Sequence, residues 1–314
     1  MTDRILVTCP PMLGLMDEFQ GEFTKRGADV HCPKVTQILS EDELIGLLPQ
    51  FDGWIIGDDP ATRRVFEAGK RGRLRAAVKW GVGVDNVDFA AAKSLGIPIA
   101  NTPQMFGREV ADLAFAYLVA LAREFISIDQ GVRSGGWPKP RGISLADKTL
   151  GLVGLGDIGR NLARRALAAD MKVIAYDPAV TSPPGGLVAQ LEPWPKRVGE
   201  CDFLAFTCAL NAANRHMLNA AVLAQTKRGV RIANVARGPL IEEAALEQAL
   251  KSGQVYSAAL DVFEVEPLPA NSKLRGFDRC IFGSHNGSNS VDAVRRATNK
   301  AIDLLFGFLG SAAR

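Results

Sequence analysis

Gly154-Leu155-Gly156-Asp157-Ile158-Gly159 constrains the fold of this chain more than any other stretch, because of what stands on either side of it. Residues 150–155 read as a strand. Residues 160–169 read as a helix with Leu162, Ala163, Ala166 and Leu167 on one side. The next run, Lys172–Tyr176, reads as a second strand and ends in Asp177. A carboxylate about 20 residues beyond the glycines is where a dinucleotide-binding βαβ unit needs it. Gly154 permits the tight turn, Gly156 lets the backbone approach a pyrophosphate, and Gly159 lets helix and strand pack closely. The helix start offers unpaired N–H groups to the phosphates. Asp177 can accept hydrogen bonds from ribose hydroxyls and would repel a 2′-phosphate, and Pro178 and Ala179 follow it where an arginine would be needed for NADP. The plain alternative is a glycine-rich turn without a ligand. The flanking strands and the placed aspartate favour NAD as the cofactor.

The rest of the chain is built in the same style. Short β-rich runs at 5–9, 29–32, 53–57, 76–80 and 97–100 alternate with helix-length stretches such as 41–48 and 61–68. A second series follows at 150–155, 172–176, 203–208, 230–235, 257–262 and 280–283. Alternation of this kind predicts βαβ units on parallel sheets, in two α/β modules. Between the series, 110–125 carries Val110, Leu113, Ala114, Tyr117, Leu118 and Leu121 at helical spacing. That stripe fits a core helix joining the modules or a face packed on a second subunit. Residues 293–309 are also helical in pattern.

Charge narrows the partners. Lysine and arginine number 37 against 34 acids, a near balance that gives no electrostatic case for nucleic acid or membrane. The densest basic run, Lys70-Arg71-Gly72-Arg73-Leu74-Arg75, reads as a solvated strand entry. Five cysteines, Cys9, Cys32, Cys201, Cys208 and Cys280, show no CxxC spacing, so neither a disulfide frame nor a metal site is expected. Met1-Thr2-Asp3-Arg4 leads straight into an apolar run, and no run is long enough to span a bilayer. A cytoplasmic location is expected.

Lys79-Trp-Gly-Val-Gly-Val-Asp-Asn-Val-Asp88, Asn101-Thr-Pro103, the glycine motif, Val235-Ala-Arg-Gly-Pro239, Leu260-Asp-Val-Phe-Glu-Val-Glu-Pro267 and His285 follow one another along the chain. In that order and at those intervals the chain resembles the D-isomer-specific 2-hydroxyacid dehydrogenases, and among them the phosphoglycerate dehydrogenase-like group. The resemblance implies two doubly wound parallel-sheet domains: a Rossmann NAD domain, 101–289, inserted in a flavodoxin-like substrate domain, 1–100 plus 290–314. It also implies a homodimer through the helix around 110–125. Carried over, the catalytic group is Arg237, Glu266 and His285. Cofactor contacts are implied for Gly154, Gly156, Asp157, Ile158, Gly159, Asp177, Thr207, Cys208, Ala236 and Asp261, with Asp261 facing the nicotinamide amide. Val82 and Gly83 would offer backbone N–H groups to the substrate carboxylate, a small anion nest.

The chemistry of that group can be argued from the residue types. A 2-keto acid presents a carboxylate beside a carbonyl, and the planar fork of Arg237 suits both. His285 as imidazolium can give the carbonyl oxygen a proton and, in oxidation, take it back. Glu266 on the ring's other nitrogen would favour the charged form and orient the ring; Glu264 is the second possibility. Small neighbours in Gly283-Ser284-His285-Asn286-Gly287 let the ring project at the carboxyl end of a strand, where α/β folds bind ligands. The other histidines, His31 and His216, read as exposed and as locally satisfied.

The chain departs from the family pattern at Ser284, at Glu109-Val-Ala-Asp112 and at Cys208-Ala-Leu-Asn211. After the third strand, Gly57-Asp58-Asp59-Pro60 stands where phosphoglycerate enzymes commonly carry Arg-Ser. Asp59 reads as a helix N-cap before Pro60, and Asp58 as a charge that repels phosphate. The expected substrate is a small 2-hydroxy or 2-keto acid without phosphate. The alternatives are 3-phosphoglycerate dehydrogenase proper and a non-catalytic NAD(H)-sensing, corepressor-like binding protein.

Overall fold

The computed structural model of the chain describes residues 2–187 and 189–311. They form an α/β protein of two compact units, one from Met1–Phe106 with Ser288–Arg314 and the other from Gly107–Gly287.

The first unit has five strands: β1 Asp3–Val7, β2 Ala28–His31, β3 Gly53–Ile56, β4 Ala76–Lys79 and β5 Ile99–Asn101. All pair in parallel, in the order β2-β1-β3-β4-β5 of a flavodoxin-like sheet. Every residue of β3 and β4 is buried, as expected of central parallel strands covered on both faces. The helix Val291–Ser311 covers β3 and β4. A Cβ on Gly53 would lie 3.1 Å from Leu305 Cδ2, so the absent side chain is what lets this helix approach the sheet.

The loop after β3 overturns two expectations. The N-cap of helix Arg63–Arg71 is Thr62, whose hydroxyl accepts from Val65 N at 3.4 Å. Asp59 is instead fully buried. Its carboxylate accepts from Leu39 N (2.8 Å), Gly57 N (3.1 Å) and the Thr8 hydroxyl (2.5 Å). The helix starts late because Ala61 first forms a bridge to Val87, with Ala61 N donating to Asn86 O. Asp58 is no free repulsive charge either, since Lys79 Nζ lies 2.9 Å from its Oδ1 and donates to Gly57 O at 2.5 Å. Burial pushes the Asp59 carboxyl up despite its three donors. Asp59→Ala would orphan those donors in the core and should cost about 2–4 kcal/mol in chemical unfolding. A loss below about 1 kcal/mol would show that the loop repacks around them.

The second unit has seven parallel strands: β6 Thr149–Val153, β7 Lys172–Tyr176, β8 Gln190–Leu191, β9 Phe203–Phe206, β10 Val230–Asn234, β11 Val255–Leu260 and β12 Ile281–Phe282. Their order, β12-β11-β10-β9-β6-β7-β8, is that of a doubly wound Rossmann sheet extended by one strand. The edge strand β8 has only two residues in a proline-rich stretch, too short for any alternation to announce it.

The helix expected over 110–125 runs over Gly107–Arg123 and breaks at Glu124, which takes a left-handed φ of 54° before helix Phe125–Arg133. Val110, Ala114, Tyr117, Leu118 and Leu121 are buried and Leu113 is half-buried, and the helix packs against helix Asp157–Ala168 and strands β10 and β11. The apolar surface left open lies beyond it, at Phe125, Val132 and Trp137, the last 76% exposed.

Candidate active site

The glycine loop after β6 is shaped by contacts no larger residue could make. Gly154 has φ +95°, and a Cβ there would sit 2.6 Å from Cys208 N. A Cβ on Gly159 would meet Gly154 O at 2.0 Å, whereas one on Gly156 would meet nothing within 4 Å. Gly156 is the N-cap of helix Asp157–Ala168 and no side-chain oxygen caps it, so the helix start stays available to an anion. At the end of β7, Asp177 Oδ2 accepts from Leu155 N at 2.7 Å and Oδ1 from Ala179 N at 3.0 Å. The carboxylate is thereby held against the loop. These residues suit a dinucleotide: open space over Gly156 for a pyrophosphate, and a fixed acid for a ribose.

Thr207 and Cys208 stand behind that loop. The Thr207 hydroxyl donates to Gly154 O at 2.9 Å. Burial pushes the Cys208 thiol up to about 11, so it stays neutral and acts as packing. Asp157 and Ile158 open the helix, and Asn161 Nδ2 reaches Asp157 O at 2.9 Å.

The polar group gathers at the carboxyl ends of β10, β11 and β12. Arg237 follows β10, with its Nη1 donating to Ala236 O at 2.8 Å and its own carbonyl accepting from Asn234 Nδ2 at 2.9 Å. Ala236 N donates to Asn234 Oδ1 at 3.0 Å, so Asn234, buried at the strand end, shapes the whole turn. Gly238 then passes so close to the chain after β11 that a Cβ would lie 1.8 Å from the Phe263 carbonyl carbon. In that chain Glu266 Oε1 accepts from Phe263 N at 2.9 Å, and Oε2 lies 2.7 Å from His285 Nδ1. With Nδ1 committed to a carboxylate, Nε2 is the nitrogen that can exchange a proton.

His285 sits after β12 with φ +56°, a left-handed conformation that histidine tolerates better than most residues. Asp261, at the end of β11, holds the segment. Its carbonyl accepts from His285 N (2.7 Å), its Oδ1 from Asn286 N (3.1 Å) and its Oδ2 from Gly287 N (2.8 Å). The Asp261 carboxylate is therefore turned into the loop and only 1% exposed. Sequence reading assigns it a cofactor-facing role and places Tyr117 only in an apolar stripe, but the Tyr117 hydroxyl donates to Asp261 Oδ1 at 3.5 Å.

Glu264 does not meet His285; it lies 2.9 Å from His216 Nε2, a close contact without hydrogen-bond alignment. Glu264 Oε1 also accepts from Glu243 N at 3.1 Å. Val82 and Gly83 belong to the first unit, in the turn after β4. There Gly81 has φ +130° and its N donates to Thr102 Oγ1 at 2.8 Å; Val82 is 43% exposed. Among the described residues no group of His, Cys, Asp and Glu side chains converges as a metal site would. No helix of the described residues is long and apolar enough to cross a membrane.

A parallel doubly wound sheet with a glycine loop and a fixed aspartate at its strand ends defines a dinucleotide-binding α/β protein. The family profile of the D-isomer specific 2-hydroxyacid dehydrogenase NAD binding domain matches residues 115–287. The chain is 38% identical to the hydroxypyruvate reductase of Thermotoga maritima over 278 residues, covering 87% of this chain and 89% of that protein. It is 37% identical to human D-3-phosphoglycerate dehydrogenase over 268 residues, 83% of this chain but 49% of that protein; it spans about half the length of the phosphoglycerate enzymes it matches. Among solved structures, D-lactate dehydrogenase from Escherichia coli superposes with a TM-score of 0.82 at 25% identity, over 96% of this chain and 95% of that one. The chain belongs to the D-isomer specific 2-hydroxyacid dehydrogenase family, whose members are oxidoreductases acting on a CH–OH group.

Proposed function

We propose that this protein is an NAD-dependent D-2-hydroxyacid dehydrogenase that interconverts a small, non-phosphorylated 2-hydroxy acid and its 2-keto acid. The observation that carries the reading is the 2.7 Å contact of His285 Nδ1 with Glu266 Oε2 in the unit that holds the glycine loop. When bound, the dinucleotide supplies or accepts the hydride. In the reducing direction Arg237 binds the substrate carboxylate and polarises the carbonyl oxygen. His285 Nε2 then gives that oxygen a proton, and Glu266 stabilises the imidazolium that must be present beforehand. In oxidation His285 takes the proton from the hydroxyl.

Asp177 supports NAD over NADP, because a fixed carboxylate repels a 2′-phosphate. Near full-length similarity to a hydroxypyruvate reductase supports a small substrate side chain. Asp58 gives no ground to exclude a phosphate by repulsion, being paired. Lys79 is 2% exposed and already bound to Asp58 and Gly57 O, so that lysine is not available to receive one. Phe125, Val132 and Trp137 are the apolar surface on which a homodimer would form. Sedimentation should give a dimer, and Trp137→Lys should weaken it.

The deciding experiment is NADH consumption against glyoxylate, hydroxypyruvate, pyruvate, 2-ketoglutarate, phosphohydroxypyruvate and bulkier 2-keto acids. Turnover of a non-phosphorylated member is expected. A clear preference for phosphohydroxypyruvate would overturn the substrate assignment, and tight NADH binding with no turnover would favour the sensor reading. Gly156→Ala meets no protein atom, so it should leave thermal stability unchanged while weakening NADH binding about tenfold or more, as fluorescence titration would show. Glu266→Gln removes the partner that favours the imidazolium. The limb on which reduction falls as pH rises should therefore move to lower pH, by about one unit or more, each worth about 1.4 kcal/mol.

A further inference from the structure

We infer that Asp261 and Tyr117 are positioning residues for His285: a buried latch that holds the strained backbone of the proton-transferring loop so that the imidazole meets Glu266. The inference rests on the reading of His285 as the acid–base. Its basis is that three consecutive amides, those of His285, Asn286 and Gly287, all donate to one residue, Asp261, through its carbonyl, Oδ1 and Oδ2. A loop on the surface would have water for those donors; here a single residue takes them all.

The segment needs such a hold. His285 occupies a left-handed φ of +56°, a sparsely populated conformation for a non-glycine residue that hydrogen bonds to its backbone help to hold. Asp261 is itself anchored, since its N donates to Asn234 O at 2.9 Å at the strand end and its side chain is buried. Two further features are fitted to the carboxylate. A Cβ on Gly283 would stand 2.1 Å from Asp261 Oδ1 and 2.6 Å from the Tyr117 hydroxyl, so the glycine leaves room for both. Tyr117 comes from helix Gly107–Arg123, 144 residues away in sequence, and brings its hydroxyl to 3.5 Å from Asp261 Oδ1, a long contact beside the shorter backbone bonds. Burial and the neighbouring Asp261 charge push the Tyr117 hydroxyl up, so it stays a donor at any working pH.

Asp261 thus acts on the reaction through the orientation of another residue. A direct contact with the nicotinamide amide would make a different set of effects. The chain has three histidines, so the His285 ring protons can be assigned in the NMR spectrum by their loss in His285→Asn. The first readout is the titration midpoint of His285 in the protein without ligand, taken in a double-mutant cycle of Asp261→Asn and Glu266→Gln. If Asp261 works by aligning the ring with Glu266, Asp261→Asn lowers the midpoint by about half a unit or more while Glu266 is present. In the Glu266→Gln background the same change leaves the midpoint nearly unmoved. An equal shift in both backgrounds means only that a nearby charge was lost, and overturns the inference. The second readout is kinetic. Asp261→Asn should lower kcat roughly 10–100-fold while the NADH dissociation constant changes less than about threefold. A loss of NADH affinity matching the loss of kcat, with the titration unmoved, assigns Asp261 to the cofactor instead.

Should Asp261→Asn fail to fold, Tyr117→Phe carries the same test, because it removes a hydroxyl while keeping the ring and every charge. It should lower the His285 midpoint while Glu266 is present and leave it unmoved in the Glu266→Gln background; no effect in either background sinks the latch. Because the titration needs no turnover, a protein that reduces no 2-keto acid would defeat the functional reading and still answer this one.

Discussion

His285→Asn should lower kcat for 2-keto acid reduction by roughly 10²–10⁴-fold, about 2.7–5.4 kcal/mol of barrier, with NADH affinity nearly unchanged. Asparagine is the right probe for three reasons visible in the site. Of the non-glycine residues it is among the most tolerant of left-handed backbone, so φ +56° at this position adds little strain. The backbone bond from residue 285 to Asp261 O survives the change. An amide can still hydrogen-bond Glu266 but has no proton to give at neutral pH. What is removed is proton transfer alone. Steady-state rates and NADH fluorescence measured on the same preparation check this. An unchanged kcat would reassign the acid; a parallel collapse of NADH binding would mean that the loop, and not the proton, had been damaged.

Gly238→Ala should be the most damaging single methyl group that can be added near the site. The atoms it would meet, Phe263 C at 1.8 Å, Phe263 O at 2.0 Å and Glu264 N at 2.4 Å, are all backbone and cannot rotate away. The chain after β10 and the chain after β11 would have to separate, and those two stretches carry Arg237 and Glu266. Overpacking of this kind costs about 3 kcal/mol, which for a unit of this size lowers Tm by roughly 6–12 °C. Since Arg237 moves away from the Glu266 chain, kcat/KM should also fall at least about tenfold at temperatures where the variant is folded. Differential scanning calorimetry and rates at about 20 °C, below the expected melting range, test the two halves separately. A variant that melts like the wild type would show that the close approach is not required.

The strand series and the glycine motif were legible because parallel βαβ units write themselves as short apolar runs at regular spacing. Several runs overshot their ladders at the carboxyl end, while 172–176 coincides with β7. Thr8 and Cys9 after β1, Gly57 after β3 and Thr207 after β9 are buried like the strands they follow; Thr8 N and Thr207 N still donate to Ile55 O and Val153 O on the neighbouring strands, and from there the chain turns into the carboxyl-end loops. Hydropathy registers burial and says nothing about pairing. Glu266, read ahead of Glu264, is the carboxylate that meets His285, since motif spacing carries phase information that composition does not.

Asp59 shows the opposite case. An aspartate before a proline has a good local explanation as a helix cap, but the observed donors come from Leu39, Gly57 and Thr8, two of them far away in sequence. Asp58 was misread for the same reason, its partner Lys79 standing on the next strand. Tyr117 sat correctly in an apolar stripe, and nothing in a helical period could announce that its hydroxyl faces Asp261.

By itself, then, the sequence determined the two α/β modules and the dinucleotide loop, because each depends on local spacing: the pitch of a helix, the alternation of strands, the glycines of one turn; the arginine, glutamate and histidine proposed for catalysis were named by the family resemblance, which no local spacing supplies. Tertiary structure alone decided which charges are spent on one another, which carboxylate is buried, and which backbone amides hold His285 in its left-handed turn. Those outcomes depend on distances of about 3 Å between residues tens to more than a hundred positions apart, and hydrogen bonding at that range is set by where the folded sheet brings strand ends together.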